Sequence, residues 1–223
     1  MTIENPVTHV IFDMDGVLLD TEKFYTEVTQ RIVGRFGKRF TWELKRRIMG
    51  RSPLVSARLL VEALEIPISA EHFLQEREGL LQELASSAEP MPGAVALVRS
   101  LHAAGVPLAL ATSSHRRLYE LKTRRHGDWF SLFAAGVVGD DPRLNAPKPA
   151  PDIFLLAARE LGAQPSDCLV VEDSPAGVQA ARAAEMQVLA VPYPGLDPEE
   201  LGDADLLVTS LEQVTPTRLK VRV

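Results

Sequence analysis

Cysteine occurs once in this 223-residue chain, at Cys168. A single thiol excludes a disulfide framework and a cysteine zinc cluster within one chain, and its place in the apolar run Cys168-Leu169-Val170-Val171 makes it inert core. The histidines His9, His72, His102, His115 and His126 are scattered without ligand spacing and read as surface or packing residues. Basic residues are in deficit, 24 Lys and Arg against 30 Asp and Glu for a net charge of −6. That balance argues against a nucleic-acid partner and leaves no polybasic membrane anchor. No apolar run approaches the roughly 20 residues a bilayer requires, and Met1-Thr2-Ile3-Glu4-Asn5-Pro6 lacks the basic and apolar stretches of a signal peptide. The expectation is a cytoplasmic protein without a membrane partner.

The 46% hydrophobic content suffices for one full core and a smaller satellite domain. Residues 7–13 read as a strand. From about residue 20 to 88 the pattern is helical: Phe24, Val28, Ile32 and Phe36 recur every four residues, and Phe73, Arg77, Leu80, Leu81 and Leu84 repeat the stripe. After Met91-Pro92-Gly93 helices alternate with short apolar strands. Val95 to Leu101 reads as a helix, Val106 to Ala111 as a strand, and Val137-Val138 as part of another. Ile153 to Leu161 reads as a helix capped by Gly162, and Cys168 to Val171 as a strand buried on both faces, with Gln187 to Val191 and Leu206 to Val208 following. This alternation predicts an α/β fold, a Rossmann-like doubly wound parallel sheet with a small all-helical domain inserted after the first strand. The boundaries fall at 1–19 and 89–223 for the core and 20–88 for the insert.

Ligands of such a sheet belong at the carboxyl ends of its strands. The first strand runs into Asp13-Met14-Asp15-Gly16, and residues i and i+2 of an extended chain point to one side, so Asp13 and Asp15 present two carboxylates to one spot. A divalent cation would neutralise one and leave it a nucleophile, while the other could be held protonated as an acid. The same stretch also serves as a solvated Asp-x-Asp-Gly turn in other settings. Thr112-Ser113-Ser114 follows a strand with hydroxyls and free N–H groups for phosphate oxygens, or simply caps a helix. Lys148 lies between Pro147 and Pro149, which stiffen its loop, and Glu172-Asp173 ends a strand before Ser174-Pro175 opens a helix.

In that order the four segments resemble the haloacid dehalogenase-like superfamily of phosphohydrolases: residues 9–22 its first motif, Thr112-Ser113 its second, Lys148 its third and Glu172-Asp173 its fourth. The helical insert resembles the family's small cap. The resemblance implies that Asp13 attacks phosphorus to give an aspartyl-phosphate, and that Asp15 protonates the leaving alkoxide and then activates water. It also implies Mg2+ on the Asp13 carboxylate, the Asp15 backbone carbonyl and Asp173. Thr112, the Ser113 backbone and Lys148 would hold the phosphoryl oxygens.

Finer blocks, among them Lys122-Thr123-Arg124-Arg125-His126 and Gly139-Asp140-Asp141-Pro142, are similar to the pseudouridine-5'-phosphatase group and to plant-type glycerol-phosphate phosphatases. The expected substrate is a small phosphate monoester, pseudouridine 5'-phosphate first and glycerol phosphate or another sugar phosphate as the alternative. Tyr25 and Arg51 are the insert positions expected to contact the substrate, and the molecule is expected as a monomer or weak homo-oligomer. A phosphoglucomutase-type phosphotransferase fits less well, because that branch typically carries histidine where this chain has Tyr25. A non-catalytic binding module fits less well again, because every reactive position is filled. Two positions depart from the family pattern. Pro147 stands where glycine usually precedes the lysine, and Glu185 stands where a helix-ending glycine is usual.

Overall fold

The computed structural model describes residue 3 and residues 6–48, 53–193 and 195–221. Among these, short apolar segments pair into one six-stranded parallel sheet: β1 (His9–Phe12), β2 (Leu108–Thr112), β3 (Ala135–Val138), β4 (Cys168–Glu172), β5 (Gln187–Ala190) and β6 (Leu206–Leu207). The spatial order is β3-β2-β1-β4-β5-β6, so the chain builds outward from β1 through β2 and β3, then resumes on β1's other side with β4. Every residue of β2, β4 and β5 is buried, as strands covered on both faces require. The order reverses between β1 and β4, and such reversals leave a crevice at the carboxyl ends of the strands. Cys168, at the start of β4, is fully buried, and that burial pushes its thiol up to about 12.

The helices are α1 (Glu22–Gly34), α2 (Trp42–Ile48), α3 (Pro53–Leu64), α4 (Ala70–Ala85), α5 (Ala94–Ala103), α6 (Arg116–Thr123), α7 (Gly127–Phe130), α8 (Asp152–Leu161) and α9 (Pro175–Ala183). The chain divides into two compact units, Met1–Asp20 with Ala88–Val223, and Thr21–Ser87. In the first, α8 packs across β1, β2 and β3, α5 packs on β2, and α9 lies on β4 and β5. Its helix signals are local: Ser174 Oγ accepts from Gly177 N at 3.1 Å to open α9, and Gly162 closes α8 at φ 69°. In the second unit α1 and α3 pack on α4, and Phe24, Val28, Ile32, Leu60, Phe73 and Leu81 form the buried stripe. Phe36, read in the stripe of α1, lies past that helix's end and is only half-buried.

One turn in the first unit precedes the point where the chain leaves and rejoins it. After β1 the chain folds back on itself, with Gly16 N donating to Leu19 O and Leu18 N to Met14 O, each at 2.9 Å. The outgoing and returning strands then pair: Asp20 N donates to Glu89 O at 2.8 Å, Met91 N donates to Leu18 O at 2.9 Å, and Leu19 bridges Pro90 antiparallel. Glu185, just past α9, sits at φ 60°, the left-handed conformation that glycine adopts without strain.

Candidate active site

The parallel register decides which side chains meet. Phe12 stands opposite Leu110 on one side and Val171 on the other, and Asp13 N donates to Val171 O at 3.0 Å. Asp13, Thr112, Glu172 and Asp173 therefore share the ends of three neighbouring strands, spaced about 4.8 Å apart. Asp13, Thr112, Glu172 and Asp173 are all buried.

Lys148 reaches this cluster from the loop before α8. Its Nζ donates to Asp13 Oδ1 at 2.6 Å, to Glu172 Oε1 at 2.6 Å and to Ala111 O at 3.2 Å, and it lies 4.8 Å from the centre of the Phe154 ring. Asp152 Oδ1 braces the loop by accepting from Asn145 N at 3.0 Å and Ala146 N at 3.3 Å. Pro147, in the place of a glycine, thus leaves the lysine aimed at the strand ends. Burial pushes the Asp13 carboxyl up to about 7, with Lys148 opposing and the Glu172 and Asp15 carboxylates adding to the rise. Burial pulls the Lys148 ammonium down, but Asp13 and Glu172 outweigh it and hold the group above its ordinary value.

Glu172 was not singled out among the site residues in the sequence. Its Oε1 takes Lys148, and its Oε2 accepts from Asp173 N at 2.9 Å, Ser174 N at 3.1 Å and Ser174 Oγ at 3.0 Å. A carboxylate ending a fully buried strand is the signal that could have found it, since a buried charge needs partners. Gly177 is required beneath it, because a Cβ there would overlap the Glu172 carboxylate.

Asp15 belongs to a second group. Lys122 Nζ donates to Asp15 Oδ1 at 2.5 Å, Ser114 Oγ donates to Asp15 Oδ2 at 2.8 Å, and Thr112 Oγ1 lies 3.4 Å from Oδ2. Lys122 was missed as a site residue. The available signal is its position one helical turn after buried Leu118 on α6, which points both to the interior. The hydroxyl of Thr112 also accepts from Ser114 N at 3.1 Å. Ser113 is exposed beside it and lines a cavity of about 320 Å3 with Asp140, Asn145, Pro147 and Lys148. Gly139 packs there against Ser113, close enough that a Cβ would overlap the Ser113 carbonyl.

The metal reading is tested by Asp173. Gly16, at φ 80°, has its α-carbon so near Asp173 that a Cβ would overlap Oδ2, so this carboxylate lies against the peptide that follows Asp15. Among the described residues no three His, Cys, Asp or Glu side chains form a metal-holding group. The oxygen donors expected there, the Asp13 and Asp173 carboxylates and the Asp15 carbonyl, are in chemical type those of a hard cation that retains several waters, as Mg2+ does. In the helical unit, the Tyr25 ring lies 5.9 Å from the Arg77 guanidinium carbon, which is equally distant from the Phe73 ring. Burial lowers the Arg77 pKa, with Tyr25, Glu78 and Glu22 opposing. Arg51 lies outside the described residues.

Residues 7–185 match the haloacid dehalogenase-like hydrolase family. The chain is 51% identical over 215 residues to (DL)-glycerol-3-phosphatase 2 of Arabidopsis thaliana, covering 94% of this chain and 90% of that one. It is 46% identical over 213 residues to a Drosophila melanogaster protein named "Probable pseudouridine-5'-phosphatase", covering 94% and 92%. Among solved structures, a haloacid dehalogenase-like protein from Agrobacterium tumefaciens superposes with a TM-score of 0.80 at 27% identity, covering 93% of this chain and 95% of the other.

Proposed function

The chain belongs to the haloacid dehalogenase-like hydrolases and is a phosphoric monoester hydrolase, and from that premise we propose that it works through an aspartyl-phosphate on Asp13. The observation that carries this reading is the separation of the two aspartates: Asp13 shares Lys148 with Glu172, while Asp15 is held apart by Lys122 and Ser114. Two like groups in different surroundings can take different roles.

An Asp13 oxygen attacks phosphorus as the P–O ester bond breaks, and Asp15 gives its proton to the departing alkoxide. Asp15, now a carboxylate, takes a proton from the water that attacks the aspartyl-phosphate, which releases inorganic phosphate and restores Asp13. Lys148 holds Asp13 in place and offsets phosphoryl charge, together with Thr112 and the Ser113 N–H. Mg2+, held by Asp13, Asp173 and the Asp15 carbonyl, would offset the negative charge that otherwise keeps a carboxylate from a phosphate ester.

Pseudouridine 5'-phosphate is the substrate expected from sequence blocks. The higher identity to the glycerol-3-phosphatase, 51% against 46% over the same share of this chain, supports glycerol 3-phosphate equally. The helical unit is read as the cap that chooses between them, with Tyr25 as its contact. The same reading includes a cytoplasmic monomer or weak homo-oligomer without nucleic-acid or membrane partners. In support, the net charge is −6 and no described helix is long and apolar enough to cross a membrane.

The test compares kcat/KM for pseudouridine 5'-phosphate, uridine 5'-phosphate and glycerol 3-phosphate, each with Mg2+ and with a chelator. Metal-dependent phosphate release without a bisphosphate activator is expected. Failure to release phosphate from any monoester would overturn the reading.

A further inference from the structure

We propose that Lys122, through Ser114, is the positioning residue for Asp15, an inference that rests on the reading of Asp15 as acid and base. Lys122 Nζ donates to Asp15 Oδ1 at 2.5 Å and to Ser114 Oγ at 2.9 Å, and Ser114 Oγ donates to Asp15 Oδ2 at 2.8 Å. The three groups close a ring in which each carboxylate oxygen has its own donor. Because the Ser114 hydroxyl accepts from the lysine, its single proton is directed at Asp15. The ring fixes both the rotation of the carboxylate and its plane, and a reaction that places one group on the ester oxygen and then on a water needs both.

The fold by itself does not call for this lysine. Its side chain is 1% exposed on the buried face of α6, one turn beyond Leu118, where an apolar side chain would pack without the cost of desolvating an ammonium. Lys148 does not duplicate it, since that ammonium is engaged with Asp13 and Glu172. One lysine therefore serves each aspartate.

The experiment measures kcat and KM for Lys122→Met and Ser114→Ala, each in the wild-type and in the Asp15→Asn background. The substrates are p-nitrophenyl phosphate and the better used of glycerol 3-phosphate and pseudouridine 5'-phosphate. Lys122→Met is expected to lower kcat on the alkyl ester by about a hundredfold and Ser114→Ala by about tenfold, with KM and the Mg2+ requirement within about twofold of wild type. The loss on p-nitrophenyl phosphate should be about tenfold smaller, because nitrophenolate departs without a proton. In the Asp15→Asn background neither change should lower turnover further. If Lys122→Met does not fold, Ser114→Ala, which removes a single oxygen, supports the same comparison. Equal losses in both backgrounds overturn the role of Lys122 alone. An Asp15→Asn protein that loses the same factor on both esters overturns the acid assignment, and the Lys122 role with it.

Discussion

Glu172 Oε1 accepts from Lys148 Nζ at 2.6 Å, with the Glu172 side chain 1% exposed and that of Lys148 7% exposed. The loop lysine is thereby anchored to the end of β4. Glutamine would offer the buried donors Lys148 Nζ, Asp173 N, Ser174 N and Ser174 Oγ one acceptor oxygen in place of two, so Glu172→Gln should cost about 3 kcal/mol of stability. It should also lower turnover less than Lys148→Ala does, because Lys148 keeps Asp13. Chemical denaturation and steady-state kinetics on the same preparations check both. A larger kinetic loss in Glu172→Gln than in Lys148→Ala would contradict the anchoring role.

Asp13 gives a pH dependence. Its carboxyl stands at about 7 when folded, against about 3.9 in an unfolded chain. A raised value means that its contribution to stability is full below pH 4 and is lost as pH rises through 7. In chelator-treated protein, Asp13→Asn should therefore be more stable than wild type at pH 8 by up to a few kcal/mol, the difference shrinking toward pH 4. The same variant should lose turnover by several orders of magnitude, since an amide is no nucleophile. Melting temperatures across pH 4 to 8 would reveal a constant offset if burial did not perturb this group.

For Asp15, the prediction concerns the leaving group. Asp15→Asn keeps the backbone carbonyl but loses the proton donor, so an alkyl ester should lose about 10² to 10⁴ in turnover. The loss on p-nitrophenyl phosphate should be far smaller, and the ratio of the two losses is the measurement.

Two glycines should respond in opposite ways to alanine. At Gly16 the new methyl would overlap the Asp173 carboxylate, so Gly16→Ala should raise the Mg2+ concentration for half activity and lower turnover. At Gly79, inside α4, a Cβ meets no atom within 4 Å, and Gly79→Ala should stabilise the protein by about 0.5–1 kcal/mol through helix propensity. Metal titrations and thermal melts of the two variants settle the contrast.

Glu185→Gly should stabilise the protein by about 1 kcal/mol and leave kinetics untouched, because a non-glycine residue at φ 60° carries left-handed strain. A loss of stability would mean that the side chain contributes more than the backbone costs.

The strands were legible because apolar runs that end in polar residues mark where a parallel sheet meets its ligand face; β2 and β4 end in Thr112 and Glu172 as the runs do. Lys122 was legible only weakly, through its spacing from Leu118. In Arg116-Arg117-Leu118-Tyr119-Glu120-Leu121-Lys122-Thr123 charged side chains surround the helix, and only its packing makes one of them interior. Glu172 is hidden differently, since it adjoins Asp173 in the same motif and its burial is set by the packing of β4. His126 is buried, with Nε2 2.7 Å from Ala88 O and its ring against Trp129 and Phe130, which agrees with a packing residue.

The backbone bonds that tie Asp20 to Glu89 and Leu18 to Met91 bring the two ends of the inserted segment together. Insertions are best tolerated where the flanking chain is already closed on itself. The chain thus departs for residues 21–87 and returns from them through one pair of bonded backbone segments. A lineage, or an engineer, could trade that segment for another and inherit the reacting groups unaltered.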